Sequence, residues 1–321
     1  MSDESKDSDR ETALTRTSDS ALRRLNTNLQ TAERVLARTD GKNAEEYFQR
    51  GIALTKKGNY SEAIENYDRA IKIDPDYESA WCGRGFAQEE HGDFNGALES
   101  YERAIEINSS YKTAWRGRGS VLKEQGELDR ALENFNRAIE IDPAQKGVWL
   151  VRGRVLKEQG DLDRALKSFN RAIEIDSAYE LAWCGRGFVL YKQGDLTGAL
   201  KSYDRAIEID SDCKVALNSK GFLLKQKGEL TMALESYDQA LEIDSAYEEA
   251  WTGRALVLEE QENFSEAISS YDRALDINPS YAEAWYNRGI ALKKKGNISE
   301  AEKSIDRARR IDSSYNGEFY P

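Results

Sequence analysis

The hexapeptide Trp81-Cys82-Gly83-Arg84-Gly85-Phe86 is repeated letter for letter at Trp183-Cys184-Gly185-Arg186-Gly187-Phe188. A Gly-Arg-Gly core written twice admits two kinds of explanation. As chemistry it would be a phosphate-cradling loop or an Arg-Gly nucleic-acid motif. As architecture it would be one tooth of a repeat. The two copies stand 102 residues apart, three times 34, and self-similarity at a fixed period of about 20–50 residues marks repeat architectures. A phosphate loop also needs a strand before the glycines and a Lys-Ser/Thr after them, and neither is present. An Arg-Gly binding motif needs flexible tandem units rather than one per period.

Stepping by 34 from Trp81 lands on Trp115, Trp149, Trp183, Leu217, Trp251 and Trp285, and stepping back lands on Tyr47. Four residues after each comes a glycine, from Gly51 to Gly289, with Ala255 the one exception. Twelve residues beyond that an alanine recurs without fail, Ala63 to Ala301, and seven further on another, Ala70 to Ala308. Between the two alanines stands an aromatic, Tyr67 to Tyr271, replaced only by Ile305 in the last unit.

Each unit reads as two helices. In the third, residues 112–125 carry Trp115, Val121 and Leu122 at helical spacing, and Gly126 supplies the stop. A second helix over about 128–141 carries Leu128, Ala131, Leu132, Phe135, Ala138 and Ile139, and Asp142-Pro143 ends it because proline cannot continue a helix. One such pair cannot bury its own apolar faces, so neighbouring pairs must stack. The closely spaced small residues let helix backbones approach while Trp and Phe fill the gaps.

The series Trp115, Gly119, Leu122, Ala131, Phe135, Ala138 and Pro143 resembles the tetratricopeptide repeat in order, spacing and residue size. The sixth unit keeps it less fully, on Leu217, Gly221, Leu224, Ala233, Tyr237, Ala240 and Ser245. The resemblance implies an all-α fold, a right-handed superhelical solenoid of stacked antiparallel helix pairs. It covers eight units, 44–77, 78–111, 112–145, 146–179, 180–213, 214–247, 248–281 and 282–315. Two departures stand out. The closing proline is kept only at Pro75, Pro143 and Pro279 and is serine elsewhere, which is expected to loosen the turns. Before the repeated glycine, where the family usually has Leu, stands Arg in seven units and Lys220 in the sixth. Each of these cations is followed eighteen residues later by an acceptor, as Arg84 is by Glu102 and Arg254 by Asp272. The expectation is that its stem packs between helices while its charged head bonds that acceptor in the same unit.

The ends are written differently. Where earlier units carry Leu or Ile, the eighth has Glu302 and Arg309, the polar outer face that a terminal repeat needs. Residues 316–321 are then a short tail. Residues 1–18, rich in Asp, Glu and Ser, read as a disordered tail. Over 19–43, Leu22, Leu25, Leu29, Ala32 and Leu36 follow helical spacing and predict an amphipathic helix, either a cap on the first unit or a short coiled coil.

Composition narrows the function. The chain carries a net charge of −12, which disfavours nucleic acid as a partner, since grip on phosphate needs many cations. No apolar run approaches the roughly 18 residues of a membrane span. No secretory leader is visible at the N-terminus, so a cytoplasmic location is expected. Three cysteines without paired spacing make no disulfide framework. The single histidine, His91, lies at an inter-helix turn. No metal-ligand, nucleophile or cofactor constellation appears, so the chain is expected to be no enzyme and to need no cofactor.

Binding remains. In the family that the chain resembles, the inner face is lined by first-helix residues one, five, eight and nine places after the large apolar residue. Those places hold Arg116, Ser120, Lys123 and Glu124 in the third unit, and Leu150, Arg154, Lys157 and Glu158 in the fourth. They hold Cys184, Phe188, Tyr191 and Lys192 in the fifth, and Asn218, Phe222, Lys225 and Gln226 in the sixth. The candidate contacts are therefore Arg116, Lys123, Arg154, Lys157, Phe188, Tyr191, Lys192, Phe222 and Lys225, a basic and aromatic stretch in an acidic protein. Phe86, Phe188 and Phe222 are expected to be exposed at equivalent places, whereas units two and seven present Glu89, Glu90, Glu259 and Glu260. A protein or peptide, acidic and with apolar anchors, is the implied partner. The asparagine of the family's carboxylate clamp is missing, its place held by Phe86, Ser120, Arg154 and their equivalents, which argues against an adaptor for chaperone tails. The alternatives are self-assembly, as a homodimer through the N-terminal helix or by end-to-end stacking, and single-stranded nucleic-acid binding.

Overall fold

The computed structural model describes residues 43–316. The tail over 1–18, the amphipathic helix expected over 19–43 except its last residue, and the tail beyond Asn316 lie outside them. Among the described residues sixteen α-helices follow one another, two per 34-residue unit. The first helices of successive units are α1 (Ala44–Lys56), α3 (Glu78–His91), α5 (Lys112–Glu124), α7 (Lys146–Glu158), α9 (Glu180–Lys192), α11 (Lys214–Gln226), α13 (Glu248–Glu260) and α15 (Ala282–Lys294). The second helices are α2 (Tyr60–Ile73), α4 (Phe94–Ile107), α6 (Leu128–Ile141), α8 (Leu162–Ile175), α10 (Leu196–Ile209), α12 (Leu230–Ile243), α14 (Phe264–Ile277) and α16 (Ile298–Ile311). A 3-10 turn, Ser313–Asn316, folds back on α16, where Arg309 donates to the Tyr315 carbonyl at 3.3 Å. Glu302 is exposed.

The chain forms two compact units, one running to Val155 and one beginning at Leu156. In the first, α1, α3 and α5 each pack on the second helix of their own pair, and α2 and α4 each pack on the next first helix. First helices also touch one another, α1 with α3 and α3 with α5. The second unit repeats this arrangement from α8 through α16.

The glycines of the repeated hexapeptide are packing positions. A Cβ on Gly83 would lie 2.7 Å from the Tyr67 ring, and one on Gly85 would lie 3.0 Å from the Tyr101 ring. Tyr67 belongs to the preceding pair and Tyr101 to the same pair, so the two glycines let one helix press against two aromatic rings. In the second unit Gly185 and Gly187 do the same against Phe169 and Tyr203, at 2.6 and 2.9 Å. The alanines flanking each ring, such as Ala97 and Ala104 or Ala131 and Ala138, are fully buried.

The cation one place before the repeated glycine or Ala255 bonds in the opposite direction from the expected one. Arg84 Nε donates to Asp68 at 2.7 Å, Arg254 Nε to Asp238 at 2.7 Å and Arg288 Nε to Asp272 at 2.6 Å. Arg118 pairs with Glu102 at 3.5 Å, Lys220 with Asp204 at 2.8 Å, and Arg152 Nε donates to Asn136 at 2.7 Å. The acceptors are those the sequence indicates, but each cation takes the one sixteen residues before it, in the preceding pair. The residue just before the cation faces the earlier pair, as Gly83 and Gly253 do against Tyr67 and Tyr237, so the stem that follows it reaches across that seam. The other end of the guanidinium turns to its own pair, where Arg84, Arg186, Arg254 and Arg288 donate to Ser100, Ser202, Ser270 and Ser304 at 2.6–2.8 Å. Each of these arginines thus bonds a second-helix hydroxyl in its own pair.

The turns between pairs do not loosen where serine replaces proline. Asp or Asn opens every one, and its side chain accepts from the backbone N–H two residues on at 2.8–3.2 Å, from Asp74 to Asp312. The repeated Trp then donates its indole N–H to the carbonyl of the Pro or Ser at 2.9–3.0 Å, equally for Pro143 and Ser177. The Asp or Asn side chain holds every such turn, and an indole adds to it wherever Trp stands in the repeat. At Ser211, where Leu217 stands in place of Trp, the Asp210 side chain does so without an indole, so the ring of proline is dispensable.

Candidate functional site

The first helices of each unit expose a face bearing a cleft, and the two clefts are described separately. In the second unit a cleft of about 370 Å³ is bounded by Phe188, Tyr191 and Lys192 on α9 and by Asn218, Phe222 and Lys225 on α11. Phe222 stands 39% exposed and meets Tyr191 edge-on, ring centroids 5.4 Å apart. Phe188 is half-buried rather than exposed as expected, because two ammonium groups cover it. Lys157 Nζ lies 4.6 Å and Lys192 Nζ 5.6 Å from its ring centroid, within range of cation–π attraction. Lys192 also lies 5.5 Å from the Tyr191 ring. Five of the residues inferred from spacing, Lys157, Phe188, Tyr191, Lys192 and Phe222, therefore converge on one patch. Lys225 turns to Glu260 instead, at 2.9 Å. Glu249 and Glu283 line the same cleft.

In the first unit Arg116 and Arg154 are exposed and Lys123 is half-buried, its Nζ bonded to Glu124 at 2.7 Å. Leu150, placed on the inner face by its spacing, is buried at 4% exposure and belongs to the core. Arg116 borders a larger cleft of about 530 Å³ that also takes in Phe48, Ile52, Phe86, Tyr111 and Val151. Phe86 is 43% exposed, as its spacing implies. Its cations are Lys56 and Arg116, and Ile52 and Phe86 hold the place, five after the large apolar residue, that Phe188 and Phe222 share in the second cleft. Its aromatic signal begins at Phe48, one place after Tyr47, on the first helix described.

Glu89 and Glu259 are not the free groove charges that their places suggest. Tyr101 Oη donates to Glu89 and Tyr271 Oη to Glu259, both at 2.7 Å. Glu259 is only 9% exposed and also accepts from Lys294 at 3.2 Å. Burial holds the Glu89 carboxyl above its ordinary range, and the Tyr101 bond opposes that. Both phenols are pushed upward, first by burial and then by the carboxylate beside them. The pairing follows a twelve-residue spacing in part of the array, though Lys225 and Tyr191 hold the same place before Tyr237 and Tyr203. Thr55, Glu89 and Glu259 stand twelve residues before Tyr67, Tyr101 and Tyr271, whereas Lys123 and Lys157 stand twelve before Phe135 and Phe169, which have no hydroxyl.

Among the described residues no three His, Cys, Asp or Glu side chains gather as metal ligands, and no helix is long and apolar enough to cross a membrane.

Family models of the tetratricopeptide repeat match most of the array. One matches 51–92, 153–194, 221–262 and 259–296, and others match 82–146, 181–213 and 282–315. Among curated sequences, 40 residues are 38% identical to the uncharacterized protein MJ0572 of Methanocaldococcus jannaschii. That stretch is 12% of this chain and 46% of the relative, so the chain spans less than half of that protein. Among solved structures, the APC/C hetero-tetramer Cut9–Hcn1 superposes with a TM-score of 0.61 at 13% identity, over 88% of this chain and 56% of that one. A tetratricopeptide repeat protein from Parabacteroides merdae gives 0.58 at 17% identity, over 81% and 98%. Both likenesses concern the fold.

Proposed function

Because the chain belongs to the tetratricopeptide-repeat family, whose fold serves protein–protein interaction, we propose that it is a non-catalytic scaffold holding a peptide or helical segment on its first-helix face. The contact centres on the second-unit cleft, with Phe188, Tyr191, Lys192, Phe222 and Lys225 as its contacts and Lys157 beside Phe188. In the first unit Arg116, Lys123 and Arg154 are the corresponding contacts. The observation that carries this reading is an exposed Phe222 braced edge-on by Tyr191, next to a second ring capped by two lysines. Exposed aromatics beside a cleft mark interaction sites, and the ammonium groups favour a ligand with acidic side chains around one or two large apolar ones. The protein is taken to act in the cytoplasm.

Display of a random peptide library against the full chain tests this. Selected sequences should combine Asp or Glu with an aromatic or long aliphatic residue, and their affinity should fall with salt. Enrichment of basic or purely polar sequences would overturn it. Light scattering on the same preparation, concentration-dependent in mass, would instead favour self-assembly.

A further inference from the structure

Cys184 and Cys213, 29 positions apart, bring their Sγ atoms to 3.6 Å. Cys184 follows Trp183 on α9, and Cys213 is the residue that caps the N-terminus of α11. Both thiols are half-buried beside Leu190, Tyr203 and Ala216. They touch without being bonded, and a disulfide needs them about 1.5 Å closer. Each cysteine places its sulfur by the single torsion χ1, and a modest rotation about it on both sides supplies that distance. The repeated hexapeptide supplies an internal contrast. Cys82 occupies the place of Cys184 in the second pair, but the counterpart of Cys213 there is Tyr111, and Cys82 is buried at 5% exposure.

We propose that Cys184 and Cys213 form a redox-modification site whose reactant is a low-molecular-weight disulfide, and that its product is a reversible cross-link between α9 and the N-terminus of α11. Cys213 is the attacking sulfur. The hydrogen bond from the Cys184 thiol favours its thiolate most, and the backbone N–H of Ala216 adds to it. These two bonds hold it below the ordinary thiol range, against burial and the nearby Asp210 and Glu180. The bond that Cys184 makes to Cys213, with burial, keeps Cys184 protonated. Cys82, lacking such a neighbour, is pushed up to about 12 by burial.

In the first step the Cys213 thiolate attacks one sulfur of R–S–S–R, the bond between the two small-molecule sulfurs breaks, and one RS⁻ leaves. Cys184 then gives its proton to solvent and attacks Cys213 Sγ, expelling the second RS⁻. Two protein thiols are oxidised by two electrons, and the small disulfide is reduced to two thiols. The link ties together the two helices that bear Phe188 and Phe222.

The full chain equilibrated with oxidised and reduced glutathione, quenched in acid, alkylated and mapped by peptide mass, tests this. The expected result is one linked peptide pair, Cys184 with Cys213, with Cys82 alkylated. After unfolding, one of the three thiols should titrate, and dithiothreitol should restore all three. Cys184→Ser should strand Cys213 as a mixed disulfide with glutathione. Cys213→Ser should slow the reaction of Cys184 by tenfold or more. Two free thiols in fully oxidised glutathione, separate mixed disulfides on both residues of the unaltered chain, or a cross-link between two chains would each overturn the proposal.

Discussion

At the scale of single residues, the repeat works because one position cannot be read without its neighbours in the adjoining pair. Arg254 bonds Asp238 in the preceding pair and Ser270 in its own. Arg254→Met keeps the stem and removes the charge, and should cost about 1–2 kcal/mol, since charge-assisted bonds at a half-exposed acceptor are worth less than buried ones. A double-mutant cycle checked by urea unfolding should show coupling of Arg254 with Asp238 and none with Asp272, which Arg288 holds. Coupling to Asp272 instead would restore the pairing within one unit. A second residue breaks the pattern. At the end of most first helices a glycine takes positive φ, from Gly58 to Gly296, but Glu262 occupies that place in the seventh pair at φ 60°. An L side chain pays about 1 kcal/mol for this left-handed conformation. Glu262→Gly should therefore stabilise the protein by about that amount, read as a higher urea midpoint with an unchanged slope. A lower midpoint would mean that the glutamate side chain contributes more than its backbone costs.

At the scale of elements, helix order, pairing and the buried stripe were all legible, because a 34-residue period repeated eight times leaves little else for Trp, Gly and Ala to do. Which pair the arginine would bond was not legible. Asp, Glu or Asn recurs both sixteen residues before and eighteen after it, and spacing alone cannot tell which lies across the nearer seam. The turns were misjudged for a related reason. Proline is the conspicuous residue there, but the Asp or Asn side chain and the indole bond fix the geometry. Asp176 already holds the extended backbone that a following proline requires, at φ −142° and ψ 102°. Ser177→Pro should therefore fit without strain and stabilise by about 0.4–1 kcal/mol through a less flexible unfolded chain. Thermal unfolding of this variant beside Asp176→Ala checks both halves. The proline should raise the midpoint, and loss of the aspartate should lower it even though the serine remains.

At the scale of the whole molecule, two clefts compete as binding sites, and they differ in chemistry rather than in fold. The first is larger and walled by Phe48, Ile52, Phe86 and Val151, with Arg116 at its border. The second is smaller, with Lys192 and Lys225 beside Phe188 and Phe222 and with Glu249 and Glu283 facing them. The aromatic and basic run of the fifth and sixth repeats points to the second. The first is built from the same inner-face places one and five after the large apolar residue, Phe48, Ile52 and Phe86 among them, and its depth comes from packing that spacing does not report. Peptides selected on the full chain distinguish them. If acidic peptides seat on the second cleft, replacing both Phe188 and Phe222 by Ala should cost more than about 2 kcal/mol, since buried aromatic anchors carry most of an interface's energy. Lys192→Ala should chiefly slow association and flatten the salt dependence, because an exposed cation steers approach more than it holds the complex. Phe86→Ala should leave the affinity unchanged, and so should Glu235→Ala on the exposed side of α12. Calorimetric titration of these variants reads each outcome directly. Loss of binding with Phe86→Ala and not with the Phe188 and Phe222 pair would move the site to the first cleft and remove charge as the basis of selection.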